Sequence, residues 1–400
     1  MHIHVFILAE SPVRIWGLSG CQRLERILKK MGITRWIGSP TAAPAGDSVL
    51  LLRGDYLYDE RLIQGLIQKP GTLLQIVTGK TEKPVAAHVA SQDAPAVGDF
   101  LAGDGSGDNL PCLSFETPLT LAPTYLKKLR KIDPPYLLPI TEANKNLLEK
   151  RLFSGSYKGV TDLVTKWVWP LPARLATRFC AQRGITPNQV TALNLALAII
   201  AGLFFLNGFL ALGLTAAWLM TFLDTVDGKL ARVTVNSSTF GHIFDHAIDL
   251  ISPPFWYVAW GLGLENWRPA LPLSLETAFW LIFIGYILGR LAEGIFKKWL
   301  EPSGIFCWKP IDSYCRLITA RRNPNLILLT IGLIARRPDQ GLVAVTLWTL
   351  ICSLFLIIRL ILGFRECMRS GDRLHSWFLD VDPEAPKQTL AQRCFSNHCS

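Results

Sequence analysis

Residues Asp224 to Asp249 read DTVDGKLARVTVNSSTFGHIFDHAID, with four aspartates, two histidines, a lysine and an arginine set between apolar runs. An ionised carboxylate at membrane depth costs on the order of a few kcal/mol unless it is paired or metal-bound, so each one is a functional candidate. Asp224 and Asp227 lie three residues apart and Asp245 and Asp249 four apart, so each pair shares one face of a helix. Gly228, Ala231 and, one turn before Asp245, Gly241 keep those faces free of bulk. The short polar stretch VTVNSST brings the two faces opposite each other. Four hard oxygen donors so arranged suit Mg²⁺ or Mn²⁺, with room for two ions, and the lack of a Cys/His cluster argues against zinc. His242 and His246 fall on the neighbouring arc and are expected to pack. Arg232 beside a divalent site suits phosphoryl chemistry, because metals neutralise a diphosphate and an arginine clamps phosphate. The same aspartates would also serve an ion pathway in a membrane transporter, and residue chemistry alone leaves that alternative open.

The flanking sequence predicts six transmembrane helices, at about 189–207, 210–231, 240–263, 274–296, 325–335 with its flanks, and 341–364. Most approach the roughly 20 residues that a bilayer core requires. Lys297, Lys298, Lys309, Arg316, Arg321 and Arg322 lie between the fourth and fifth, and RECMRSGDR follows the sixth. By the positive-inside rule both segments face the cytoplasm, with Arg336 and Arg337 on the other side. An even count puts both termini and the aspartate site in the cytoplasm of a multi-pass integral membrane protein, at the inner membrane in a bacterium. Arg316, Arg321 and Arg322, with Arg290 of the fourth span, are candidates to hold an acceptor phosphate. Alternatively these cations orient helices and touch anionic lipid, and Arg290 pairs with Glu293 three residues on.

Across all 400 residues, 50% are hydrophobic and 18% charged, with the apolar weight after about Thr186 and a net charge of +10. No zinc-finger or RNA-binding signature accompanies that charge, so it points to a membrane surface and not to nucleic acid. The nine cysteines form no CxxC pair, and their odd count argues against a complete disulfide framework. The start MHIHVFILAESPVRIW has no basic region followed by a long apolar one, so no removable signal peptide is expected. Residues 1–143 alternate strand and helix patterns and predict a soluble α/β domain with a parallel, doubly wound sheet. Residues 144–185 interleave Lys and Arg with Trp, Leu and Phe and predict interfacial connecting helices, or else an ordinary linker packed on the first domain. Residues 186–370 form the all-α membrane domain, and 371–400 a cytosolic tail.

Two resemblances sharpen this. The spacing D-x2-D-G-x2-A-R-x8-G-x3-D-x3-D is met at all eight positions, Asp224, Asp227, Gly228, Ala231, Arg232, Gly241, Asp245 and Asp249. It resembles the signature of the CDP-alcohol phosphotransferase (phosphatidyltransferase) family over roughly Thr186 to Arg369. ITPNQVT (185–191) is similar to that family's approach to its first membrane helix. The resemblance implies six transmembrane helices, a homodimer, a cytoplasmic active site and exchange of the CMP of a CDP-alcohol for an acceptor alcohol, as in phospholipid biosynthesis. It implies metal binding by Asp224, Asp227, Asp245 and Asp249, with Asp249 also the general base. Pro187, Asn188, Gly228, Ala231, Arg232, Ser238 and Gly241 match positions around the CDP-alcohol. The first half resembles a nucleotidyltransferase-like Rossmann domain at Met31-Gly32-Ile33 and at VLLLRGDYLYDERLI, where Asp55 would hold a metal. It departs from that family at AESPVRIWGLSG, which lacks the glycine-rich loop for a triphosphate and carries a proline that removes a donor. The expectation is therefore a non-catalytic scaffold or regulator. The order of parts resembles the fused inositol-1-phosphate cytidylyltransferase and di-inositol-phosphate phosphate synthase, so donors such as CDP-diacylglycerol or a CDP-polyol, and acceptors such as inositol phosphate or glycerol phosphate, are expected.

Overall fold

A computed structural model describes residues 2–78, 81–105, 110–236, 239–381 and 389–395, with side chains at all of these except 78, 81 and 239–246. The N-terminal region runs β1 (Ile3–Glu10), α1 (Gly20–Lys30), β2 (Ser48–Gly54), β3 (Tyr56–Tyr58), α2 (Glu60–Gln68), β4 (Thr72–Thr78), β5 (Thr81–Ala90) and α3 (Ala94–Ala102). Short elements follow: β6 (Ser114–Glu116), α4 (Pro118–Leu121), β7 (Tyr125–Leu126), β8 (Lys131–Ile132) and β9 (Leu137–Pro139). Val49 to Leu52 of β2 are fully buried, which fits a central strand covered on both faces. Leu50 and Leu52 face the core under α1 and α2, while Val49 and Leu51 face α3. Polar side chains set where the helices begin. Ser19 and Gln22 form a reciprocal capping box at α1, and Asp59 caps α2.

The sheet differs from the parallel, doubly wound one expected. Its order is β1-β2-β5-β4-β6, and β5 runs antiparallel to both of its neighbours. Among the described strands of this sheet, the parallel pairs are β1–β2 and β4–β6. The reason is connection length: two residues separate β4 from β5, enough for a hairpin, whereas a parallel pair needs a crossover of about a dozen residues or more.

The connecting segment holds α5 (Lys145–Gly155), a π-helical turn at Val164–Val168 and α6 (Pro170–Gln182). Its two helices differ. α5 buries Leu148 and Phe153 in a core shared with Trp16 and Leu57, as a packed linker does. α6 buries Ala173, Thr177 and Cys180 on one side and turns Leu171, Leu175 and Phe179 outward at four-residue spacing. Trp167 and Val168 extend that exposed apolar stripe.

The C-terminal region is helical: α7 (Pro187–Leu206), α8 (Leu210–Val233), α9 (Thr239–Leu262), α10 (Leu275–Trp299), α11 (Pro310–Ile318), α12 (Arg322–Ile334), α13 (Pro338–Ser370) and α14 (Leu390–Phe395). Helices stand at all six places where spans were expected. Among the described residues four of them, α7, α8, α10 and α13, are long and apolar enough to cross a membrane. α12 has 13 residues and rises about 20 Å, short of a roughly 30 Å hydrocarbon core. α13, at 33 residues, rises about 50 Å and overshoots it. Helix contacts rest on small residues, as expected where burial from water adds little between helices. A Cβ on Gly332 of α12 would lie 2.6 Å from the Cα of Gly341 in α13, and Ser353 of α13 donates to the carbonyl of Gly285 in α10 at 2.6 Å. The buried indoles of Trp256 and Trp260 on α9 donate to the carbonyls of Ala198 (2.8 Å) and Pro338 (3.1 Å). The eight described cysteines are all free, as expected.

Candidate active site at the facing ends of two helices

Asp224, Asp227, Gly228, Ala231 and Arg232 lie on the C-terminal half of α8, and Asp249 lies in α9. One side chain joins the two helices. Arg322, the first residue of α12, donates from one terminal nitrogen to Asp224 Oδ2 and from the other to Asp249 Oδ1, each at 2.5 Å. The carboxylates of Asp224 and Asp249 thus converge on a single cation. Arg322 had been expected among the acceptor arginines, and here it faces the aspartates. Asp249 keeps 40% of its side-chain surface accessible although it sits among packed helices, so the cluster is not sealed inside the bundle.

Asp227 is buried, and the Thr191 hydroxyl of α7 donates to its Oδ2 at 2.8 Å. Thr191 lies one turn beyond Pro187, the buried first residue of α7, where Thr186 and Gln189 form the capping box. One further turn along, the amide of Asn194 spans α7 to α8. Oriented to satisfy both groups, it donates to the carbonyl of Met220 at 3.3 Å and accepts from the backbone N–H of Asp224 at 3.1 Å. Those are i and i+4 backbone groups of α8, so Asn194 grips the helix at the turn that presents Asp224. Sequence reasoning missed Thr191 and Asn194. The available signal was polar residues on one face of an otherwise apolar helix, a pattern that reflects interhelical hydrogen bonding. We expect Thr191→Val to lower kcat/KM about tenfold in an assay of product release, the scale of one hydrogen bond to a charged group; unchanged kinetics would remove Thr191 from any positioning role.

Arg232 folds back along its helix, its Nη1 donating to the Gly228 carbonyl at 2.9 Å. A Cβ on Gly228 would meet the Arg232 guanidinium at 3.3 Å, so the glycine leaves that group its seat. Asn188 is exposed at the start of α7. Ser238 lies outside the described residues, as do the side chains of Gly241, His242, Asp245 and His246. Among the described residues no group of three or more His, Cys, Asp or Glu side chains is gathered as a metal site. The remaining arginines divide. Arg321 is paired with Glu293, which Arg290 also approaches at 3.9 Å, as anticipated for that i,i+3 pair. Arg316 has its Nε and one terminal nitrogen buried with no hydrogen-bond partner.

Over residues 184–301 the sequence matches the family model described as CDP-alcohol phosphatidyltransferase. The chain carries a CDP-alcohol phosphatidyltransferase domain. It is 38% identical over 90 residues to an archaetidylinositol phosphate synthase of Pyrococcus horikoshii, covering 22% of this chain and 47% of that protein. It is 32% identical over 102 residues to a phosphatidylinositol phosphate synthase of Mycobacteroides abscessus, covering 24% and 46%. A cholinephosphotransferase 1 of Gallus gallus is 33% identical over 165 residues, covering 38% and 47%. The chain spans about half the length of the curated relatives it matches. The CDP-alcohol phosphatidyltransferase domain contains α7 to α10 and so holds every motif residue, whereas Arg322 lies 21 residues beyond its end.

The N-terminal region shows why its own resemblance to a nucleotide-handling fold stops short. Its Ser11–Gly17 loop, where phosphates would be cradled, is packed under later sequence. Ser11 donates to the Ile140 carbonyl (3.0 Å), Trp16 donates through its indole to the Glu149 carbonyl (3.1 Å), and the indole stacks on Phe153 at 5.8 Å. Asp55, the expected metal ligand there, is held by both ends of the Arg53 guanidinium at 2.9 and 2.8 Å.

Proposed function

We propose that the chain is a membrane-embedded, Mg²⁺-dependent CDP-alcohol phosphotransferase that moves the substituted phosphate of a CDP-alcohol onto an acceptor alcohol and releases CMP. The reading is carried by the convergence of Asp224 and Asp249 on one cation, within a motif met at all eight positions. A transporter would leave the glycine, alanine and arginine of that motif without a role. Asp224, Asp227, Asp245 and Asp249 are the ligand set, and it fits a hard divalent ion: the donors are carboxylates on facing helices, and Arg322 already places a positive charge between two of them. When bound, such ions neutralise the diphosphate and the departing CMP. Thr191 holds Asp227, Asn194 fixes the turn that bears Asp224, and Arg232 reaches toward the donor phosphates from a seat cleared by Gly228. Pro187, Asn188, Ala231, Ser238 and Gly241 border the nucleotide. Asp249, the most solvent-accessible of the described motif carboxylates, takes the proton of the acceptor hydroxyl as it attacks the β-phosphorus.

Two of the relatives are named archaetidylinositol phosphate synthase and phosphatidylinositol phosphate synthase, which supports an inositol phosphate acceptor and a CDP-diacylglycerol-like donor. In this reading all six of the helices α7 to α10, α12 and α13 cross the membrane, which places the site and both termini on the cytoplasmic side, α6 lies with its exposed leucines in the headgroup layer, and two chains associate as a homodimer. The occupied loop around Trp16 and the Arg53–Asp55 pair support a non-catalytic role for the α/β region. The test uses detergent-purified protein with Mg²⁺, CDP-diacylglycerol or CDP-polyols, and inositol phosphate, glycerol phosphate or free polyols. CMP release is expected with at least one pair and is expected to stop on adding EDTA. A folded protein that releases no CMP with any pair would sink the assignment.

A further inference from the structure

A second group of cations lies where the α/β region meets the membrane helices, and all three of its members fall outside the matched residues 184–301. Lys158 follows α5. The carbonyl of Ser156 beside it accepts from Lys229 of α8 at 3.2 Å. On its other side the Gly159 N–H donates to the Leu129 carbonyl at 2.9 Å, and a Cβ on Gly159 would come within 2.5 Å of the Arg130 carbonyl. The chain therefore sets Lys158 and Arg130 beside each other and against α8. The Arg130 guanidinium extends to Gly304, where an added Cβ would lie 3.4 Å away. Two residues on is Phe306, whose ring lies 5.6 Å beneath the guanidinium of Arg316.

The carboxylates nearby are already engaged. Asp162 accepts from Asn323 at 2.9 Å and from the Thr165 hydroxyl at 2.9 Å, Glu293 is paired with Arg321, and Asp224 with Arg322. Among the described residues no ion pair joins Lys158, Arg130 or Arg316, and two of the Arg316 nitrogens are buried unpartnered. Such an orphaned guanidinium is costly unless an anion completes it. Lys158 keeps an exposed surface, yet desolvation by the atoms packed around it and then the guanidiniums of Arg232, Arg130 and Arg316 push its ammonium down to about 8. Cations so grouped, with no carboxylate paired to them among the described residues, attract a multiply charged anion.

We propose that Lys158, Arg130 and Arg316 form a subsite for a phosphate group of a substrate, so that the region preceding the membrane domain supplies part of the substrate-binding surface. The assignment of this phosphate to a substrate rests on the transferase reading above. The test is Lys158→Gln, chosen because the side chain is solvent-reached and its loss spares the packing. Inorganic phosphate should raise the melting temperature of the wild type and not of the variant. In the CMP assay the KM for a phosphorylated acceptor should rise about tenfold, with the KM for an unphosphorylated polyol unchanged. A rise in donor KM instead keeps the subsite and assigns it to the donor diphosphate. If the wild type shows the phosphate shift and the variant does not, but no substrate pair releases CMP, the subsite stands and the transferase reading falls. Equal phosphate shifts with unmoved KM values, or no shift in the wild type, overturn the proposal.

Discussion

Asp249→Asn is expected to lower kcat by about 10²–10⁴-fold, the range supplied by a positioned general base. The substitution keeps shape and removes a charge that serves both as proton acceptor and, in the proposed site, as a metal ligand. Arg322 then loses one carboxylate partner and keeps Asp224, so the fold is expected to survive. The measurement is single-turnover CMP release with saturating donor, paired with a melting curve. Activity within threefold of wild type would take Asp249 out of the proton-transfer step. The loss should appear in kcat more than in donor KM, because a base acts on the acceptor hydroxyl in the transition state.

The second large effect concerns charge balance. Without a divalent ion, Arg322 is the cation that holds Asp224 and Asp249 together across the α8–α9 gap. Removing one member of a buried ion pair costs about 3–5 kcal/mol, and the 40% accessibility of Asp249 reduces this to roughly 2 kcal/mol. Arg322→Gln is therefore expected to melt about 2–3 °C below wild type in EDTA. A divalent ion binding the same carboxylates should close much of that gap, while wild type gains less because its site already carries a charge. Equal melting temperatures in EDTA would show that the arginine does not stabilise the cluster. An EDTA deficit that Mg²⁺ leaves untouched would show that the aspartates do not take up the ion.

What the sequence revealed follows from distance along the chain. The carboxylate faces were legible because three- and four-residue spacings are properties of a helix, and Asp224 to Asp249 is one local unit. The apolar runs were legible for the same reason, since lipid selects composition over some 20 residues. The Arg322 bridge was not, because its partners lie 98 and 73 residues away and nothing local distinguishes it from Arg321, which turns to Glu293 instead. Thr191 and Asn194 were hidden by being single polar residues in an apolar helix. In the α/β region strand positions were readable but directions were not, and the two-residue link after β4 was the clue to the hairpin. Trp16 reads locally as part of a loop; only the arrival of Glu149 and Phe153 over it makes the loop a buried plug.

The join between the two regions bears on how the molecule can be divided. Arg23 of α1 is buried and donates to the Val233 carbonyl at 2.6 Å, and Arg26 donates to that of Thr234 at 2.7 Å. Both reach the last carbonyls of α8, where a helix dipole favours cations. Trp16, Leu57 and Ile140 share one apolar core with Val226, Leu230 and Val233. Cut free near residue 143, the α/β region would keep its sheet but bare a greasy wall, with a guanidinium set into it that had lost its strongest acceptor. It is a domain by strand order and not by independence. Its chain is made first, yet its surface is finished only when the end of α8, made some two hundred residues later, arrives to close it.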